Sequence, residues 1–87
     1  MIASLTVKDV KLKIGEWCRI KRQLYELSQD DLAQILDMSR LTIRKLEDGR
    51  NVTVDTLLKV VNHFDMLDSV YTAIDKNISE TDTNSLY

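Results

Sequence analysis

The stretch Ser28–Gly49, SQDDLAQILDMSRLTIRKLEDG, decides how this chain folds. It reads as two short helices joined by a tight turn. Ser28 can cap the first helix by accepting a bond from an otherwise orphan backbone N–H, and Asp30 and Asp31 then fall in the first turn, where the helix dipole favours negative charge. Leu32, Ala33 and Leu36 follow at helical spacing and face inward, and Ala33 is small where the two helices must approach closely. Asp37-Met38 breaks the run. Ser39 caps a second helix, residues 39–48, whose Ile43 and Leu46 point back to the core. Gly49 ends it as a left-handed C-terminal residue would.

The remaining chain extends this pattern. Thr6 and Asp9 can form a capping box, and Val7, Val10, Ile14, Trp17, Cys18 and Leu24 recur at steps of three and four, so a long first helix is expected to about Tyr25. An extended start over residues 4–7 is the alternative. Gly15 inside that helix costs about 1 kcal/mol against Ala, and close approach of another backbone would account for it. Thr53 caps a fourth helix with Leu57, Val60, Val61 and Phe64 inward. A short fifth helix is expected from Leu67 or Asp68 to Asp75. The residues from Asn77 to Tyr87 are polar and read as disordered when alone. The expected organisation is therefore residues 1–12 as lead and start of the first helix, 13–75 as the folded unit, and 76–87 as a polar tail.

Composition bounds the function. A chain of 87 residues has a core that is marginal by size, which association with a second copy would help. Proline is absent and Gly15 and Gly49 are the only glycines, which favours helices with short connections. No segment reads as a membrane span or a signal peptide, and Cys18 stands alone, so a cytoplasmic location without disulfides is expected. The net charge is −2, but the tail from Asp75 onward, with Lys76 against Asp75, Glu80 and Asp82, supplies the whole deficit. Local patches decide phosphate binding. Lys8, Lys11, Lys13, Arg19, Lys21 and Arg22 gather in the first helix, where they read equally as solvated surface charges. Arg40, Arg44, Lys45 and Arg50 gather in and after the helix 39–48. Catalysis finds no support: His63 is the sole histidine and reads as structural, no metal-ligand spacing occurs, and no cofactor motif is present. A helix-turn-helix with a basic second helix points instead to double-stranded DNA.

The pattern SQ..LA followed by S...I..LE.G resembles the lambda-repressor/Cro type of helix-turn-helix, the XRE family, over residues 14–74. That resemblance implies an all-α, five-helix lambda-repressor-like DNA-binding domain. Asp37 stands where the family usually has glycine in the turn, and Asp65 makes the same substitution in a later one; Asp tolerates positive φ better than most residues. Cys18 falls at an apolar core position of the family, which implies a buried, inert thiol. Arg22 and Glu47 match two positions that commonly pair in it, implying a structural ion pair. Base-reading positions map onto Arg40, Leu41 and Lys45, with Arg44 adjacent. Arginine and lysine can donate to guanine O6 and N7, and leucine can meet a thymine methyl. An exposed leucine makes more sense against bases than in water, although packing near Thr42 is its alternative. Phosphate contacts are expected from Gln29, Ser39, Thr42, Arg50 and Asn51.

Regulation of transcription as a homodimer on a two-fold operator is what the resemblance implies. The expected dimer contacts are Met66, Leu67, Val70, Tyr71 and Ile74, because a single small layer cannot bury them all; the alternative is that Val70 and Ile74 close the core over Trp17 and Val10. The run from Asn51 to Ile74 is similar to HipB-type antitoxins, which would add a HipA-like toxin kinase as partner. A stand-alone Cro-like repressor of a mobile element and a protein-bridging module of the same fold remain as other readings.

Overall fold

The computed structural model describes residues 4–85, with side chains to residue 81. Five α-helices make up the regular structure of these residues: α1 Val7–Leu24, α2 Gln29–Ile35, α3 Arg40–Glu47, α4 Val54–His63 and α5 Leu67–Ser85. No strand occurs among them, so the expected all-α, five-helix class holds. The helix begins at Val7, not in an extended lead; what was expected of residues 1–3 and of the last two lies outside the described residues.

Side chains set the helix starts. At α1 the Asp9 N–H donates to Thr6 Oγ1 and the Thr6 N–H donates to Asp9 Oδ2, each at 3.0 Å. At α2 the same box joins Ser28 and Asp31 at 2.9 Å in both directions. The backbone N–H, then the hydroxyl, of each capping residue holds Asp9 and Asp31 below the ordinary carboxylate range. Ser39 and Thr53 cap α3 and α4 through Thr42 N–H and Thr56 N–H.

One motif makes all four of the first helix ends. Glu26, Asp37, Gly49 and Asp65 have φ of 56°, 55°, 74° and 56°. The residue after each returns its N–H to a carbonyl in the last turn: Leu27 to Arg22, Met38 to Ala33, Arg50 to Lys45 and Met66 to Val61, at 2.8–3.1 Å. This is the Schellman arrangement, and at three of the four ends the residue beyond the left-handed position, Leu27, Met38 or Met66, also carries an apolar side chain back onto the core. Asp37 and Asp65 adopt the left-handed conformation as expected. Glu26 does so without a favourable residue type.

That geometry corrects one expected interface residue. Met66 occupies the inward position of the α4 end and is buried in the core with Cys18, Leu32, Ala33, Ile43, Leu46, Val60, Val61 and Phe64. Val70 is half-buried against the same core, which takes it away from a purely surface role. Val7, Val10 and Leu24 share the helical spacing of α1 but are exposed. Val10 therefore closes nothing over the core.

The fifth helix is longer than its composition suggests. It runs to Ser85, well past the expected end at Asp75, and residues 76–85 are helical where a disordered tail was expected. No Gly or Pro interrupts the segment, and Ile78 continues the spacing of Tyr71 and Ile74 by one more turn.

Cys18 is fully buried, and desolvation, with the Glu47 carboxylate second, pushes its thiol up to about 11. The thiolate fraction at neutral pH is therefore very small. Alkylation of Cys18 at pH 8 is expected to be slow in the folded protein and fast in urea, read by mass spectrometry; rapid labelling without denaturant would contradict its burial.

Candidate nucleic-acid interface

The second motif helix, α3, has two unlike faces. Ile43, Leu46 and Glu47 are buried, the first two by apolar packing on α1 and α2. On the outer side Arg40 and Arg44 are exposed, Leu41 is 52% exposed, and Lys45 is partly covered. Among the described residues, Arg40, Arg44, Lys45 and Arg50 form no ion pair with a carboxylate. Four cations thus stand without internal compensation, on and just after one helix whose other side is fixed in the core. A helix of this diameter fits the major groove of duplex DNA, and such a face can donate to base edges and to phosphates.

One polar cluster joins α3 to α1 and α2. Arg22 on α1 donates from Nε to Glu47 Oε2 at 2.6 Å and from Nη2 to Oε1 at 2.9 Å. Its Nη1 donates to the Leu27 carbonyl at 2.8 Å, in the turn before α2. The bidentate pair is buried, with the Glu47 side chain only 2% exposed. The hydrogen bonds to Glu47 raise the Arg22 pKa further, so it stays charged throughout. The structure thus joins the two residues expected to pair.

Gln29, expected at a phosphate, is part of this cluster. Its Nε2 donates to Glu47 Oε1 at 3.1 Å, and the side chain is half-buried at the start of α2. One amide hydrogen is spent on Glu47, and the second is free of that bond. Ser39 and Thr42 share a hydroxyl–hydroxyl bond of 2.9 Å at the start of α3. Asn51 and Arg50 lie in the α3–α4 loop, where Lys45, Arg50 and Asn51 line a shallow pocket. The structure therefore places Arg40, Leu41, Thr42, Arg44 and Lys45 along α3, and Gln29, Ser39, Arg50 and Asn51 at its borders.

Lys11 is one of the six first-helix cations that read from sequence equally as solvated surface charges. Its ammonium donates to Asn51 Oδ1 and ties the first half of α1 to the α3–α4 loop. Lys11 also lines the same cleft as Arg50. This adds a cation to the border of the α3 face. The contact spans 40 residues of chain, so no local signal announces it. Two neighbours make the same approach: a methyl on Gly15 would stand 2.7 Å from the Leu46 carbonyl oxygen, and one on Gly49 would meet Leu12 Cδ2 at 2.8 Å.

His63 is half-buried and stacks edge-on against Phe64 at 5.2 Å, with Tyr25 at 4.9 Å from Phe64. It is held among aromatic rings. Among the described residues no His, Cys, Asp and Glu group could hold a metal ion, and no helix is long and apolar enough to cross a membrane.

The helix-turn-helix family model matches residues 19–69, which contain α2, the turn, α3 and α4. The chain is also similar to an HTH-type transcriptional regulatory protein of Methanospirillum hungatei. The two are 41% identical over 51 residues, covering 59% of this chain. The chain spans only 17% of the length of that relative.

Proposed function

Because the chain belongs to the XRE-type helix-turn-helix family, we propose that it is a sequence-specific DNA-binding regulator of transcription, a repressor acting as a homodimer on a palindromic operator. The observation that carries the reading is the outward face of α3: Arg40, Leu41, Arg44 and Lys45 project from a helix whose opposite face is locked into the core. One copy offers few phosphate contacts. Two copies related by a two-fold axis would set their α3 helices about 34 Å apart, one turn of DNA, and would read both halves of an inverted repeat. In this reading Arg40, Arg44 and Lys45 donate to base edges, Leu41 meets a thymine methyl, and Gln29, Ser39, Thr42, Arg50 and Asn51 hold phosphates. No catalytic role is proposed. The narrower antitoxin reading, with a toxin kinase as partner, rests on residues 51–74 alone and adds nothing that the α3 face requires.

The test is selection of bound fragments from genomic DNA, followed by binding titrations at several salt concentrations. Arg40→Ala or Lys45→Ala is expected to cost about 1–3 kcal/mol at the selected site and much less on random DNA. Arg50→Ala is expected to weaken binding to both alike and to lower the salt slope by about one. Gln29→Ala is a poorer probe, because it also removes a bond to Glu47. An unchanged ratio of specific to random binding in Arg40→Ala would overturn the base-reading assignment. Weak binding with no preferred fragment would favour the protein-bridging reading.

A further inference from the structure

Two apolar surfaces have no cover from the other described residues. The first is a stripe on α5. From Tyr71 to Thr81 every residue is exposed. Leu67, Tyr71, Ile74 and Ile78, at alternating steps of four and three, lie on one side of the helix, with Tyr71 72%, Ile74 55% and Ile78 51% exposed. The second is a groove on the outer side of α1, with Leu5, Val10, Ile14, Trp17 and Ile20 along it and Asp9, Lys13 and Glu16 among its charged lining. The face of α3 that carries Arg40 and Arg44 takes no part in either.

We infer that the two surfaces cover each other between two copies of the chain: α5 of each protomer lies in the α1 groove of its partner. This rests on the homodimer proposed above and says which faces make it. Three observations support this arrangement, the last two of them against α5 pairing with α5. The first is helix economy. The exposed part of α5 contains Thr72, Asn77, Ser79 and Thr81, all weak helix formers, so packing of its apolar stripe would add the stability that local propensity withholds. The second is area. Pairing of α5 with α5 would cover one stripe on each copy, whereas the reciprocal exchange covers both surfaces on both copies and so buries about twice as much. The third is charge. Asp68 and Asp75 flank the same edge of the α5 stripe, and antiparallel pairing of two such helices would set acid against acid. The lengths also agree: α5 and α1, of 19 and 18 residues, are about 28 Å and 27 Å long. A contact between two unlike faces, repeated by a two-fold axis, closes on itself and leaves neither exposed.

The test is sedimentation of the full chain, with Trp17 emission followed on dilution. Trp17 is the sole tryptophan and lies in the groove, so wild-type protein is expected to dimerise, and its emission to shift to the red as the dimer is diluted apart. Ile20→Glu and Ile74→Glu, both at half-exposed positions, are each expected to sediment as monomers with the helical spectrum kept. An equimolar mixture of the two is expected to recover part of the dimer, because one α5–α1 contact in the mixed pair is intact. A dimer that survives Ile20→Glu, with Trp17 emission unchanged on dilution, overturns the groove assignment and leaves the homodimer standing. Wild-type protein that stays monomeric at every concentration overturns both. Should Ile20→Glu lose its helical spectrum, the wild-type Trp17 dilution series decides alone.

Discussion

Glu47→Ala is expected to cost about 3–5 kcal/mol of folding stability, the range for breaking one half of a buried ion pair. A domain of this size holds only about 4–13 kcal/mol in total. The variant should therefore melt far below the wild type, or be largely unfolded at room temperature. The cause is the residue left behind. Arg22 would keep one bond to the Leu27 carbonyl, with Nε and Nη2 unpaired in a site closed to water. Gln29 would lose its acceptor as well. The pair itself adds little over an apolar replacement of the same shape, so the double variant Arg22→Met with Glu47→Leu should recover most of the loss. Urea titrations followed by circular dichroism measure both. A cost under 1 kcal/mol for Glu47→Ala would mean that the pair is wet, contrary to its burial.

Gly15→Ala has the second large effect, and here helix propensity predicts the wrong sign. Alanine should stabilise the middle of α1 by about 1 kcal/mol over glycine. The structure leaves no room for its methyl group. That carbon would stand 2.7 Å from the Leu46 carbonyl oxygen and 2.8 Å from the Glu47 carbonyl carbon. Both are backbone atoms of α3 and cannot rotate away, so α1 and α3 must separate. Overpacking of this kind costs about 1–3 kcal/mol. Separation also strains the Arg22–Glu47 bridge and shifts α3 against α2, so DNA binding should fall with stability. A thermal midpoint equal to or above that of the wild type would show that the two helices do not meet so closely.

Gly15 also shows where reading the chain stops. Its place inside a helical pattern marks it as a close approach, but nothing in the sequence names the opposing backbone. Helix ends divide in the same way. Thr6, Ser28, Ser39 and Thr53 announce the starts, because a cap is a contact within one turn. Asp37, Gly49 and Asp65 announce three ends by residue type. Glu26 announces nothing, since its left-handed backbone is held by the bond from Leu27 to Arg22 and by Leu27 packing inward. Met66 reads from the sequence as an interface residue for the same reason: its burial follows from the turn that Asp65 makes.

The sequence by itself determined the five helices, the pairing of Arg22 with Glu47 that the resemblance implied, and the basic outer face of α3. These depend on spacing along the chain, on local hydrogen bonds and on a family pattern that keeps its register. Tertiary structure alone decided that Val10 is exposed and Met66 buried, that Gln29 bonds Glu47, and that Lys11 reaches Asn51. Each of these depends on which distant surface a side chain meets, and periodicity fixes a residue's direction on its own helix but not what stands opposite.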